Sequence, residues 1–260
     1  MDSGKNIIDR IGLDNKYNKY LVNDIFGDDC SIIFILESPH KKEVIHKHPA
    51  AGATGSILSN LIFKKFNNKR YPPLGYLIKK YPKHDRLTRF GILNVCNIPM
   101  DKNAYACTDI KLIICILDCF KKNIQSNSKV SKSCLDCLKN EEKKKLINDI
   151  KEDFAYRLCE KVNEVKDKNV LLIPCGKVAR FFLGLIIDDK NNQINGEEIK
   201  KSDFKIRCNG KTHEVNIISG IPHPASRGKK KFNKDITDKL KKIISEFQKE
   251  NKQNDKTNQI

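Results

Sequence analysis

Four short apolar segments constrain the fold more than any other feature of the sequence. They read SIIFIL, RFGILNV, NVLLIP and, at the end of the hairpin-like stretch DFKIRCNGKTHEVNIIS, a fourth segment. Helical patterns such as EEKKKLINDIKEDFAYRLCEKV separate them. This alternation is typical of a parallel sheet with helices on both faces. The sequence therefore predicts an α/β fold, a three-layer α/β/α sandwich with a central four-stranded, mainly parallel sheet.

The chain is long enough for one large domain. It has 260 residues, and we expect a single domain over residues 1–250. Residues 125–140, QSNSKVSKSCLDCLKN, are polar and lie between two helical patterns, so we interpret them as an excursion from the domain. Residues 251–260 are polar throughout, which predicts a disordered tail.

The strongly basic composition favours a polyanionic partner. The formal net charge is +18 and the sequence pI is about 9.4, so we expect DNA as the partner. A bias toward lysine that decorates any fold would give the same charge. No apolar run approaches the roughly 18 residues of a membrane helix, and the N-terminus has no apolar signal region.

These absences predict a cytoplasmic protein with no membrane association, and we expect it to be a monomer. In a reducing compartment the ten cysteines are expected to stay free of disulfide bonds. Cys115 and Cys119 fall in an apolar helical pattern, where cysteine usually acts as a small hydrophobic residue.

Segments rich in polar residues, proline and glycine occur at the ends of all four predicted strands. They are ESPHKKE, NVCNIP, PCGK and GIPHPASRG, in chain order. In open α/β sheets the ligand site lies beyond the carboxyl ends of the strands. Each segment alone is a weak signal, because such residues also form ordinary turns. Together they place a carboxylate, Glu37, an amide, Asn94, and an imidazole, His223, near one edge of the sheet.

These segments resemble motifs of the uracil-DNA glycosylase superfamily, and most closely its branch with the GEAPG..ED and HPS motifs. LESPHKKE is similar to the first motif, and IPHPASR is similar to the second. HPAAGATGSIL is similar to the PFVG.AG.LL motif of the branch, ILNVCNIP to the segment with the base-reading asparagine, and LLIPCGKVARFFLG to the strand–glycine–helix segment. The resemblance covers about residues 30–228. Its residues in register include Glu37, Pro39, Glu43, Pro49, Gly52, Gly55, Asn94 and His223.

The resemblance implies a monofunctional DNA glycosylase that flips a base out of the duplex and hydrolyses its N-glycosidic bond. Such a reaction passes through a cationic sugar while the base leaves as an anion. In this reading Glu37 orients water or faces the sugar, Asn94 reads the pyrimidine edge, and His223 stabilises the departing anion. No cofactor is implied for this chemistry.

Other residues would bind the substrate or the DNA. Ser38, Pro39 and His40 would line the pocket floor, and Gly52 and Gly55 would let the backbone approach DNA closely. The segment after His223 would contact phosphates through Ser226, Arg227 and Lys229. A solvated run of charges explains SRGKKK almost as well.

The sequence departs from the family pattern at three places. Ser38 stands where the best-known members carry a water-activating aspartate, although other branches also lack it. Ala50 stands where the family places a phenylalanine that stacks on the base, so a larger modified pyrimidine is favoured over uracil. The iron–sulfur pattern of the branch is missing near Cys30, and the single CxxC of Cys134 and Cys137 is weak evidence for a metal. We therefore expect no metal.

Two further interpretations stay open at this point. The missing aspartate and phenylalanine are also consistent with a non-catalytic nucleic-acid-binding module on the same fold. An unrelated α/β hydrolase or nucleotide-binding enzyme is disfavoured, because the chain has neither a P-loop nor a G-x-S-x-G motif. The sequence also leaves open whether a glycosylase would act in base-excision repair or in defence against phage with modified DNA.

Overall fold

A computed structural model describes residues 6–63, 71–126, 141–165, 169–187, 194, 196–208, 210–226 and 232–257. Most of the predicted polar excursion, with Cys134 and Cys137, lies outside these ranges. Arg227 and Lys229, two of the predicted DNA contacts, also lie outside them.

The described residues form an α/β fold built on a mixed sheet of six strands in the order β1-β3-β2-β4-β6-β5. The strands are β1 (Ile25–Phe26), β2 (Ile32–Leu36), β3 (Phe90–Asn94), β4 (Val170–Pro174), β5 (Lys201–Cys208) and β6 (Lys211–Ile218). β3, β2, β4 and β6 run parallel to one another. β1 and β5 pair antiparallel with β3 and β6 at the two edges.

The predicted number of four strands is therefore corrected to six. The fifth strand is the first arm of the predicted hairpin, and the sixth is β1, which has two residues and no apolar run of its own. By contrast, every residue of β2, β3 and β4 is buried. Continuous apolar sequence is what a parallel strand needs when both of its faces are covered.

The helices pack on both faces of the sheet. They are α1 (Ile7–Arg10), α2 (Lys41–His46), α3 (Ala53–Ile62), α4 (Leu74–Lys80), α5 (Leu112–Ser126), α6 (Glu141–Glu164), α7 (Lys177–Gly184) and α8 (Lys234–Thr257), with 3₁₀ turns at Asn15–Tyr20, Lys102–Ala104 and Cys107–Asp109. Ile33 and Ile35 of β2 join a core formed with α5, α6 and α7. Ile32 and Phe34 join a second core with α3, α4 and α8. Alternation along the strands thus separates the two cores.

The last helix runs past residue 250, where the sequence predicted the start of a disordered tail. Leu240, Ile244 and Phe247 are buried on one side of α8. Asn251 continues this helical spacing, is 1% exposed, and donates from Nδ2 to the Asn169 carbonyl at 3.3 Å. The polar composition hid this position because an asparagine, not an apolar residue, fills it.

The cysteines differ from the expectation of free thiols with apolar surroundings. Cys159 in α6 and Cys208 in β5 form a disulfide. Cys115 and Cys119 on α5 are exposed. Among the described residues, no helix combines the length and apolar character that a membrane span requires.

Candidate active site

A cavity of about 570 Å³ lies at the carboxyl ends of β2, β4 and β6. This volume falls within the range of small-molecule pockets. Its walls come from the segments after these strands, from α5 and α7, and from the loop after β3. The lining residues are Glu37, His40, Asp101, Asp118, Lys121, Lys122, Gln125, Gly176, Lys177, Arg180, Pro222, His223, Ala225 and Ser226.

Glu37 is the first residue after β2, and two side chains of α5 hold its carboxylate. Lys121 Nζ lies 2.7 Å from Oε1, and both side chains of this ion pair are less than a tenth exposed. Gln125 Nε2 donates to Oε2, also at 2.7 Å. A buried carboxylate with donors on both oxygens is fixed in orientation. Glu37 therefore presents a preset negative charge at the cavity wall.

His223 follows β6 and is held by a glycine at the start of α7. Gly176 has φ +94°, and a Cβ there would lie 3.0 Å from His223 Cβ. A larger residue would thus be both strained and crowded. The Ala225 amide donates to His223 Nδ1 at 3.3 Å. In a neutral ring this bond places the proton on Nε2.

Burial lowers the pKa of His223, and its electrostatic interactions with His40 and Lys121 lower the pKa further, while Glu37 opposes the shift. Neutral imidazole is therefore the favoured form near pH 7. The site thus combines an anionic carboxylate with a neutral hydrogen-bond donor.

Among the other residues of the first motif, His40 lines the cavity and Ser38 does not. The His40 and His223 rings lie 6.5 Å apart in an edge-on arrangement. Ser38 and Pro39 are buried. Ser38 Oγ accepts a hydrogen bond from the Met100 amide at 3.2 Å. Ser38 therefore connects the loop after β2 to the loop after β3. Its role is structural, and the predicted contact with the substrate is not seen.

Ala50 also lies away from the cavity, in the core that contains α3 and α4. It is fully buried, has φ 51°, and donates its amide to Glu43 Oε1. The Glu43 carboxylate also accepts from the His40 amide at 2.7 Å. Ala50 thus belongs to a packed turn, and the structure gives it no contact with the cavity that its predicted role requires.

The two motif glycines have different surroundings. A Cβ on Gly55 would lie 1.8 Å from the Ala50 carbonyl oxygen, so Gly55 permits a close internal contact instead of the predicted approach of DNA. Gly52 precedes α3, and a Cβ there would meet only the Lys42 side chain, at 3.6 Å. Of the two glycines, only Gly52 has the free space that an approaching DNA backbone would need.

Asn94 ends β3 and is fully buried outside the cavity. Its side-chain oxygen and nitrogen have no hydrogen-bond partner among the described residues. Its backbone is fixed, because the amide donates to Asp24 Oδ1 and the carbonyl accepts from Arg157. Strand alternation puts its side chain on the same face of the sheet as Ile92, which belongs to the core of Ala50. The structure therefore does not bring Asn94 beside Glu37 and His223.

A second ionic cluster supports the loop after β3. The Arg157 guanidinium, on α6, donates to Asp153 and Asp24 and to the carbonyls of Asn94 and Val95. Burial raises the pKa of Asp24, although Arg157 opposes the shift. Every bond of this cluster is internal to the protein, so its role is to fix the chain beneath the cavity.

The cavity residues that the helices contribute were not predicted from the sequence. Asp118, Lys121, Lys122 and Gln125 recur at i, i+3, i+4 and i+7 within LDCFKKNIQ, the spacing of one helical face. That polar stripe was the available signal. Arg180 lies in the strand–glycine–helix segment, but no local pattern separates it from a surface arginine. Of the predicted phosphate contacts that the structure describes, Ser226 lines the cavity.

No protein-family model and no curated protein sequence matches the chain. The described residues contain no cluster of three or more side chains suited to hold a metal ion.

Proposed function

We propose that the protein is a monofunctional DNA glycosylase that hydrolyses the N-glycosidic bond of a flipped pyrimidine. The observation that supports it best is the convergence of Glu37 and His223 on one cavity at the carboxyl ends of the strands. The Glu37 carboxylate forms a buried ion pair with Lys121. Near pH 7 the neutral form of His223 is favoured, because burial lowers the pKa of its imidazole.

The two side chains match the two charges of the reaction. As the bond between C1′ and the base nitrogen breaks, the sugar becomes cationic and the base takes the electron pair. Glu37 faces the cation and orients the water whose oxygen then bonds to C1′, and the proton that this water loses passes to the departing base anion. His223 donates a hydrogen bond from Nε2 to the base carbonyl, on which negative charge develops. Preorganised groups of this kind act mainly on the transition state.

The proposal includes the finer architecture and setting. The separate cores on the two faces of the sheet support a three-layer α/β/α sandwich. The excess of basic residues supports DNA as the partner. We propose a monomer that works without a metal. The Cys159–Cys208 disulfide argues against the reducing cytoplasm that the sequence predicted. The base-reading role that the sequence predicted for Asn94 is not part of this proposal, because its side chain is buried outside the cavity.

The identity of the base is decided by experiment. Ala50 suggested a larger base from the sequence, but its position in the core removes that support. Duplex and single-stranded DNAs, each with one uracil or one modified pyrimidine, are incubated with the protein, and abasic sites are then cleaved. Release from any member of the panel supports the proposal, and release from none of them contradicts it.

The catalytic roles are tested on the substrate that this panel identifies. Glu37→Gln and His223→Ala are each expected to slow single-turnover release by about 100- to 1000-fold while DNA affinity changes little. Glu214→Gln and His84→Ala are matched controls, because both residues are exposed and distant from the cavity lining. Near-normal release by either cavity variant would remove that residue from the mechanism.

A non-catalytic DNA-binding module is the second candidate, and one observation favours it. Both oxygens of Glu37 already have protein donors, which competes with activation of water. Such a module would bind DNA in a salt-dependent way without releasing base. Salt-dependent binding together with an inactive panel would therefore support the module.

A further inference from the structure

Arg180 is a cation of the cavity lining that has no hydrogen bond or ion pair to any described residue. It lies on α7, one turn after Gly176, and its side chain is half-buried. Burial lowers the pKa of its guanidinium, and Glu197 opposes this through electrostatic attraction without an ion pair to Arg180. A partly desolvated guanidinium without an acceptor is unfavourable. Such a group points to an acceptor that arrives with a ligand.

The neighbouring cations do have acceptors in the protein. Lys121 pairs with Glu37, and Lys122 pairs with Asp118, each at 2.7 Å. Lys177 donates to the carbonyl of Gln125. The cavity lining holds these three lysines, Arg180 and three carboxylates. The surplus positive charge therefore lies at the α7 side of the cavity.

We infer that Arg180 binds a phosphate group of the ligand, at the wall of the cavity that α7 forms. The planar guanidinium matches two phosphate oxygens at once. The first turn of α7 adds a favourable field for an anion. This inference rests on the proposed function for the expectation that the phosphate belongs to a nucleotide. The phosphate comes either from the DNA backbone or from a free mononucleotide.

The first measurement uses small ligands and no catalysis. Binding of thymidine and of its 5′- and 3′-monophosphates is measured by calorimetry for the wild type, Arg180→Gln and Arg180→Lys. Arg89→Gln is the control, because Arg89 is also half-buried but faces Asp29 at 3.9 Å, away from the cavity. If a mononucleotide is the source, Arg180→Gln weakens one monophosphate by about 10- to 100-fold and leaves thymidine unchanged. Arg180→Lys recovers part of the loss.

The second measurement locates a backbone phosphate. Single-stranded and duplex oligonucleotides carry one neutral methylphosphonate linkage, placed in turn at each position around a central pyrimidine. If the backbone is the source, a neutral linkage at one position lowers the affinity of the oligonucleotide for the wild type by about 10- to 100-fold. The same neutral linkage does not lower the affinity for Arg180→Gln further, because this variant has already lost the contact. That non-additive pair identifies the phosphate that contacts Arg180.

The inference is overturned if Arg180→Gln binds all monophosphates and all oligonucleotides as the wild type does. It is also overturned if two results occur together. The affinity losses caused by each neutral linkage and by Arg180→Gln add at every position, and every monophosphate binds the variant and the wild type equally. Circular dichroism of each variant guards against misfolding, and Arg180→Lys provides a second variant. Because both measurements record binding, phosphate recognition by Arg180 with no base release would contradict the glycosylase while leaving this inference standing.

Discussion

Arg157 and Arg180 lie in two ionic regions beyond the carboxyl ends of β3 and β4, and their surroundings are opposite. Arg157 donates to two carboxylates and two backbone carbonyls, so its guanidinium is satisfied within the protein. Arg180 has no hydrogen bond or ion pair to the described residues and lines an open cavity. The first region fixes the loop after β3, and the second leaves a charge available.

Whether an arginine has partners within the protein distinguishes a structural cluster from a binding site better than residue type does. Both regions combine arginine with nearby carboxylates, and both occur where polar sequence follows an apolar strand. Buried polar groups in proteins are normally hydrogen-bonded, so a saturated cluster is sufficiently explained by the fold. The Arg180 guanidinium has no such partners among the described residues and lies in the same cavity as Glu37 and His223, so a ligand would supply its acceptor. The four predictions below test this contrast, from the largest expected effect to the smallest.

Removal of the satisfied arginine should have the largest effect. Arg157→Met leaves Asp24 and Asp153 as buried carboxylates without their cation. We expect a loss of about 3 to 5 kcal/mol in the free energy of unfolding, measured with urea. Adding Asp24→Asn and Asp153→Asn to Arg157→Met should recover much of it. A loss below about 1 kcal/mol would mean that the cluster does not stabilise the loop.

Ala50→Phe tests whether the turn after α2 is scaffold, as its packing indicates. A phenylalanine there would overpack the core and occupy a left-handed backbone position. We expect a loss of about 1 to 3 kcal/mol, measured by thermal and urea unfolding. Ala50→Gly, which relaxes the backbone, should change stability by less than about 1 kcal/mol. A stable Ala50→Phe variant with altered base preference would instead place Ala50 in the pocket.

The pH dependence of stability should report His223. Because burial lowers the pKa of its imidazole in the folded protein, the unfolded chain binds the proton more readily. The stability that this group contributes is therefore complete above its ordinary pKa of 6.5 and is lost as the pH falls toward the folded value.

Urea unfolding of the wild type and His223→Gln between pH 5 and 8 measures this effect. The variant should show a shallower fall in stability on acidification. His48 is also buried with a lowered pKa, so His48→Gln is the comparison that isolates the contribution of His223. Parallel curves for the wild type and His223→Gln would show that the cavity does not disfavour the imidazolium.

The smallest effect expected is a gain in stability from Arg180→Gln. Replacing an unpaired, partly desolvated cation by a neutral side chain of similar length should raise the free energy of unfolding by up to about 1 kcal/mol. Thermal unfolding in phosphate-free buffer measures it, with Arg89→Gln as control. A destabilised Arg180→Gln variant would show that Arg180, like Arg157, belongs to the scaffold.

Much of the fold could be predicted, and less of the site. The apolar runs of β2, β3 and β4 located three strands, and the hairpin pattern located β5 and β6. β1 was missed, because a two-residue edge strand needs only a partner and no pattern. Glu37, His40, His223 and Ser226 were predicted as site residues and do line the cavity. Asn94, Ala50 and Gly55 were predicted with them but are packed in the interior.

The sequence by itself determined which strands are buried on both faces and which polar residues follow them, because burial and chain order are local properties of the chain. Only the tertiary structure decided which of those residues share a cavity. Lys121 and Gln125 reach Glu37 from a helix more than 80 positions away along the chain. Arg157 has hydrogen-bond partners and Arg180 has none among the described residues, and this difference depends on neighbours that are distant along the chain. Residue type alone does not predict such neighbours.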